Sequence, residues 1–133
     1  MRLGLTWGVW DLLHVGHVRF LQRAAARVDR LYVGVTTDEH CIARKGKRPV
    51  ITYEDRIEML LSLPTVHHCF PQSGNYTKAD AVRDYHPTVL LVASDWTPFT
   101  YEGRDLGVPV AYLPRTEGVS STSLREAVTR AAP

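Results

Sequence analysis

Two histidines three residues apart follow the first apolar segment of the chain. His14 and His17 belong to the string GVWDLLHVGH, which spans residues 8–17. Imidazole rings can donate hydrogen bonds to a phosphate and to the negative charge that develops as phosphate is transferred. Gly16 lies between them and has no side chain to obstruct the approach of a ligand to the backbone. The string therefore predicts a phosphate site with catalytic imidazoles.

The flanking residues place these histidines between a strand and a helix. The apolar run Leu3–Trp7 predicts a buried strand, and apolar residues recur at helical spacing within the predicted helix Gly16–Val28. The first N–H groups of a helix have no partners within it, and they carry a partial positive charge that favours phosphate. The helix start therefore adds backbone donors beside the two imidazoles.

Short apolar strands alternate with helices along the rest of the chain. Further strands are predicted at Arg30–Thr36, Val66–Phe70, Val89–Ala93 and Val110–Leu113. Helices are predicted at Thr37–Cys41 (one short turn), Thr52–Ser62, Thr77–Tyr85 and Ser121–Ala131. This alternation predicts an α/β fold, a single doubly wound domain over residues 1–133 with a five-stranded parallel sheet. Ligands of such sheets bind at the carboxyl ends of the strands, where residues 8–17 lie.

Composition excludes several classes of protein. The chain is 44% hydrophobic and 23% charged, which is typical of a globular domain, and its net charge of +2 argues against nucleic acid or a membrane as a partner. Cys41 and Cys69 form no metal-binding set, and we expect them to be reduced thiols in a cytoplasmic protein. No apolar run approaches the roughly 20 residues that span a bilayer, and the first strand leaves no room for a signal peptide.

Two further stretches have the chemistry of phosphate ligands. Residues 44–48, here called the basic segment, place four cations in five positions (RKGKR), in a predicted loop from Ala43 to Ile51. Alone, such a segment is either a solvated loop or a phosphate contact. Residues 115–123 (RTEGVSSTS) place an arginine and several hydroxyls where the last predicted helix begins. A serine there can cap the helix, and another hydroxyl can reach phosphate.

Two of these stretches, residues 8–17 and residues 115–122, resemble signatures of a known family. Residues 8–17 resemble the His-x-Gly-His signature of the cytidylyltransferase-like nucleotidyltransferases, and residues 115–122 resemble the Arg-Thr-x-Gly-Ile-Ser-Thr signature of cytidylyltransferases. Val119 and Ser121 are mild departures from it. The resemblance covers nearly the whole chain and is strongest to bacterial glycerol-3-phosphate cytidylyltransferases. It implies a Rossmann-like enzyme that converts CTP and a phosphorylated alcohol, first of all glycerol 3-phosphate, into a CDP-alcohol and pyrophosphate.

The resemblance also implies roles for individual residues. The catalytic ones would be His14, His17, Lys45 (with Lys47 as second choice) and Arg115. The nucleotide would be bound by Gly8, Val9, Trp10, Gly16, Asp95, Thr116, Ser120, Ser121 and Thr122. The acceptor would be bound by Asp11, Asp38, Arg56, Tyr76 and Lys78. Three alternatives stay open: Asp11 could brace the turn, Asp38 could cap a helix, and Arg56 could be an ordinary surface arginine.

The remaining expectations concern cofactor and partners. We expect Mg²⁺ held mainly by the phosphates of CTP, with no metal site made by the protein alone. The adjacent His67 and His68 cannot share an ion because neighbouring strand residues point to opposite faces. The resemblance instead implies a homodimer that meets near this strand. Two alternatives remain for the function, an adenylyltransferase of the same superfamily that uses ATP and a non-catalytic nucleotide-binding domain.

Overall fold

A parallel sheet forms the centre of the molecule. A computed structural model describes residues 1–94 and 102–114. Its strands are β1 (Leu3–Gly8), β2 (Arg30–Thr36), β3 (His68–Gln72), β4 (Val89–Ala93) and β5 (Val110–Leu113), all parallel, in the order β3-β2-β1-β4-β5. The helices of these residues are α1 (Val15–Ala25), α2 (Asp38–Lys45), α3 (Tyr53–Leu61) and α4 (Lys78–Tyr85), with a 3₁₀ turn at Glu102–Asp105. The predicted α/β fold with five parallel strands is confirmed, and the strand order reverses between β1 and β4.

Helices cover both faces of the sheet. Alternate residues of β4 enter two separate cores: Val89 and Leu91 belong to one, and Leu90 and Val92 belong to the other. The first core contains buried residues of α1 and α3, and the second contains Ala81 of α4. Because both faces of a central strand are buried, its residues are apolar on both sides. Such a strand is a continuous apolar run in the sequence, with no alternation of apolar and polar residues.

Helix α2 is longer than predicted. The sequence predicts one turn at Thr37–Cys41 and a loop from Ala43, whereas α2 continues to Lys45. Thr37 caps its start by accepting the His40 N–H at 3.2 Å, and Gly46 ends it in the left-handed conformation with φ of 71°. A cap, an acidic first turn and a basic last turn all favour a complete helix. Two residues of the basic segment therefore lie on a helix.

Two other boundaries differ. Helix α1 ends at Ala25 because the next residues form i−3 hydrogen bonds, with the Val28 N–H on Ala25 O at 3.3 Å. Strand β3 begins and ends two residues later than predicted and includes Pro71. A proline is tolerated there because β3 lies at the edge of the sheet. The predicted helix Ser121–Ala131 lies outside the described residues. Within the described ranges, no helix is both long and apolar enough to cross a membrane.

Candidate active site

The turn between β1 and α1 has an unusual backbone. Trp10 and Leu12 both have positive φ, at 59° and 51°, which costs a residue with a side chain of order 1 kcal/mol or more. Contacts around Trp10 hold this conformation. Its side chain is buried, and its Nε1 donates to Gly34 O at 3.0 Å. The indole therefore anchors the turn to β2, which leaves only the backbone of Trp10 for the predicted contact with nucleotide.

The two histidines build the start of α1 together. His14 is the N-cap and its Nδ1 accepts the Gly16 N–H at 3.0 Å, while His17 Nδ1 accepts the His14 N–H at 3.2 Å. The rings stack with centroids 3.9 Å apart. Because Nδ1 is an acceptor in both, the neutral rings carry their proton on Nε2. Each imidazole thus has a fixed orientation and a defined donor nitrogen.

A buried arginine lies beneath this turn. Arg56 donates through Nε to Ile51 O at 3.0 Å, and through Nη1 to Val9 O at 2.6 Å and Thr36 O at 2.7 Å. Its Nη2 lies 2.6 Å from Asp38 Oδ1, and its side chain has no exposed surface. The alternative of a surface arginine is therefore wrong. A contact with the acceptor remains a prediction for Arg56 and Asp38, and what the structure shows is an internal brace between β1, β2 and α3.

Asp11 makes a second brace. Its carboxylate is buried at 3% exposure, and it accepts the Val50 N–H at 2.9 Å and the Ile51 N–H at 3.0 Å. Of the two interpretations left open by the sequence, the structure shows bracing, although Asp11 braces the chain after the basic segment as well as its own turn. A contact with substrate remains a prediction.

The basic segment begins in the last turn of α2 and is exposed. Lys45 occupies the last turn of α2, and Lys47 lies beyond the helix-ending Gly46. Arg48 reaches back to Asp38 at 3.8 Å. Helix α2, which carries the start of this segment, follows the carboxyl end of β2, the strand that pairs with β1. The predicted phosphate contact of Lys45 remains a prediction that this placement supports.

A lysine and a tryptophan meet on the other face of the sheet. Lys78 Nζ lies 5.8 Å from the centre of the Trp7 ring, a cation–π arrangement. Trp7 pairs with Gly34 in the β1–β2 ladder, and its indole covers that glycine so closely that any Cβ would collide with it. Lys78, a predicted acceptor ligand, is thus placed near the carboxyl end of β1. Trp7 is not among the site residues predicted from the sequence. The available signal was its position, since Trp7 ends the predicted first strand directly before the signature.

The comparison with known protein families decides the assignment. A family model described as cytidylyltransferase-like matches residues 5–127. This range includes the end of β1, the turn that carries His14 and His17 (here called the histidine turn) and strands β2 to β5. The chain belongs to the cytidylyltransferase-like family. The predicted resemblance is confirmed, and with it the prediction of an enzyme of the nucleotidyltransferase type.

Proteins similar to this chain carry different names. A Bacillus subtilis protein named glycerol-3-phosphate cytidylyltransferase is 33% identical over 96% of this chain and 98% of its own length. A Halorhodospira halophila protein named bifunctional protein HldE is 38% identical over 92% of this chain, which matches 27% of that protein. A lipopolysaccharide core biosynthesis protein from Thermoplasma volcanium has the same fold, with a TM-score of 0.70 at 22% identity over 87% of this chain and 97% of that one.

Tyr76, the predicted aromatic of the acceptor pocket, is partly enclosed. Its ring packs edge-on against Phe70 at 6.4 Å between centroids, and its hydroxyl donates to Asp84 at 2.7 Å. Burial, followed by this hydrogen bond, raises the pKa of Tyr76, so the phenol stays protonated. Because the hydroxyl is bound to Asp84, the predicted contact with the acceptor would be made by the ring of Tyr76, and it remains a prediction.

The remaining predicted ligands of this family's signature follow β4 and β5. They are Asp95, Arg115, Thr116, Ser120, Ser121 and Thr122, and they lie outside the described residues. The strands that precede them end at Ala93 and Leu113. Because β4 is the neighbour of β1, the chain after Ala93 starts at the same end of the sheet as the histidine turn.

Proposed function

We propose that this protein transfers a cytidylyl group from CTP to a small phosphorylated alcohol, with glycerol 3-phosphate as the first candidate. The observation that carries the proposal is the full-length match to a relative named for this reaction, 33% identical over 98% of that relative. The paired imidazoles at the reversal point of the sheet support it, because that crevice is where ligands of doubly wound sheets bind. The products would be a CDP-alcohol and pyrophosphate.

The chemistry requires charge stabilisation more than proton transfer. A phosphate monoester is already anionic at pH 7, since its second pKa is about 6, and needs no general base. One of its oxygens attacks the α-phosphorus of CTP in line, forming a new P–O bond as the bond to the β-phosphate bridge breaks and pyrophosphate leaves. His14 and His17 would donate through Nε2 to the phosphates, and Lys45 would neutralise the leaving group.

Magnesium fits this site as a companion of the nucleotide. Within residues 1–94 and 102–114, no group of three His, Cys, Asp or Glu side chains is arranged to hold a metal ion. The buried carboxylates of Asp11 and Asp38 already accept backbone N–H groups, and Asp38 also pairs with Arg56. Mg²⁺ commonly keeps water and substrate phosphates as ligands. We therefore propose that CTP brings the ion, which would neutralise charge on its phosphates.

The deciding experiment is release of pyrophosphate from CTP, Mg²⁺ and glycerol 3-phosphate. The same assay with ATP, and with a panel of other phosphorylated alcohols, separates the alternatives. Release with CTP alone supports the proposal, whereas release with ATP alone would assign the protein to adenylyl transfer. The 38% identity to a relative with another name makes this comparison necessary. No release under any condition would leave a nucleotide-binding domain.

Matched variants show whether the signal comes from this site. His17→Ala should reduce the rate by about 10²–10³, as removal of other transition-state donors does. Glu58→Gln is the control, because Glu58 is an exposed residue on α3, outside the histidine turn and the edge strand β3. Equal loss in both variants would contradict the assignment of the histidine turn.

The homodimer is also proposed, on the family resemblance. Strand β3 is the edge of the sheet, and an edge strand has unpaired backbone groups available to a second copy. Light scattering would give the molar mass in solution, and a mass of 15.0 kDa would exclude the dimer.

A further inference from the structure

We propose that Asp11 is a positioning residue that fixes the chain after the basic segment to the turn carrying His14 and His17. The proposal rests on the proposed function only for its kinetic consequences. The structural part concerns this chain alone and is tested without turnover.

Both backbone groups of Ile51 are bound. Its N–H donates to Asp11 Oδ1 at 3.0 Å, and its carbonyl accepts from Arg56 Nε at 3.0 Å. Arg56 also donates to Val9 O at 2.6 Å, two residues before Asp11. The chain after the basic segment therefore donates to the turn through Asp11, and Arg56 of α3 donates to a carbonyl on each side.

The basic segment itself spans two fixed points. Helix α2 is the first point, because it holds Arg44 and Lys45 and ends at Gly46 in the left-handed conformation. Val50 and Ile51 lie beyond its other end, where Asp11 binds both N–H groups. Lys47 and Arg48 lie between these points and are exposed. Without the bonds to Asp11, this stretch would be held by α2, by the exposed Arg48–Asp38 pair at 3.8 Å and by the Arg56 bond to Ile51 O.

The burial of Asp11 supports a role that needs its charge. A carboxylate at 3% exposure is costly to desolvate unless it is well hydrogen-bonded. An asparagine has nearly the same shape, but its NH₂ group would face one of the two N–H donors. Hydrogen bonds to a charged acceptor are about twice as strong as neutral ones. Asp11→Asn should therefore loosen the segment while preserving the packing of the turn.

The first test is tryptic cleavage of the native protein without nucleotide. Lys45 and Lys47 lie in the segment, so loosening it should make cleavage after them about tenfold faster in Asp11→Asn. Glu58→Gln is the matched control, an exposed carboxylate on α3 with no expected effect. The thermal midpoint of each variant excludes global unfolding as the cause. Cleavage at the wild-type rate would overturn the proposal.

The second test is a double-mutant cycle in the cytidylyltransferase assay. If Asp11 acts through the cations, Asp11→Asn should raise KM for CTP about tenfold in the wild type and have little effect in a Lys45→Ala/Lys47→Ala background. Additive effects would overturn the proposal and give Asp11 a direct contact with substrate. If the wild type shows no turnover, the proposed function fails while the cleavage test still decides the positioning role.

A second variant guards against misfolding. Asp11→Glu keeps the charge but places the carboxylate one methylene farther out. It should give a cleavage rate between those of the wild type and Asp11→Asn. A rate equal to the wild type in both variants would again overturn the proposal.

Discussion

His14 and His17 stack with ring centroids 3.9 Å apart, and each ring uses Nδ1 to accept a backbone N–H at the start of α1. The Nδ1 atom of each ring thus accepts a hydrogen bond at the start of the helix, and this fixes the direction in which Nε2 points. Structural and chemical roles therefore coincide in the same two side chains, and a test of either role has to separate them.

Asparagine at position 14 separates the two roles. Asn is a good N-cap, so His14→Asn should keep the free energy of unfolding within about 0.5 kcal/mol of the wild type. It lacks the Nε2 donor, so turnover should fall about 100-fold or more. His14→Ala should lose turnover and also about 1 kcal/mol of stability. Pyrophosphate release and denaturant unfolding measure the two effects. Full turnover in His14→Asn would contradict the catalytic role of the ring.

Gly34→Ala tests the close approach of Trp7 to β2. A Cβ there would collide with the Trp7 indole, which cannot move freely because its ring packs edge-on against Phe70 at 6.0 Å. We expect a loss of about 1–3 kcal/mol in the free energy of unfolding, as for other overpacked sites. Gly74→Ala is the control, since its Cβ would meet nothing within 4 Å. Equal stabilities of the two variants would contradict the packing described here.

Arg56→Met tests the buried ion pair. It removes the buried partner of Asp38 and leaves only the exposed Arg48 at 3.8 Å, so the free energy of unfolding should fall by about 3 kcal/mol. Adding Asp38→Asn should recover part of this loss, because the uncompensated charge is removed. Arg83→Met is the control: that side chain is 66% exposed, and surface ion pairs contribute little. Denaturant unfolding of the wild type and these three variants measures the losses, and a loss in Arg56→Met as small as in the control would refute the brace.

Cys69 should react slowly with alkylating agents. Burial raises the pKa of its thiol to about 11, and only the thiolate is nucleophilic. At pH 8 we expect iodoacetamide to modify Cys69 about 100-fold more slowly than a free cysteine, and at the ordinary rate after unfolding. The sign for stability follows from the same shift. The folded state keeps its proton as pH rises from 9 to 11 whereas the unfolded state loses it, so Cys69 makes the protein less stable across that range. Peptide mapping by mass spectrometry measures the modification, and labelling of the native protein at the free-thiol rate would contradict this burial.

The sequence by itself determined the elements and the position of the signature. Three strands, Arg30–Thr36, Val89–Ala93 and Val110–Leu113, have the predicted bounds, because continuous apolar runs between turn formers are local signals. The predicted end of α2 is wrong although Thr37 and Gly46 mark the two ends of the helix, because a cluster of cations is as typical of a last helical turn as of a loop.

Only the tertiary structure decided how the site is braced. Asp11 binds backbone groups 39 and 40 residues away, and Arg56 reaches Val9 across 47 residues. No local pattern distinguishes a buried arginine with four protein contacts from an exposed one on the same helix. These partners meet because the crossovers of a parallel sheet bring the carboxyl ends of its strands to the same end of the sheet. Which strands are neighbours there depends on the strand order, which no local stretch of sequence contains.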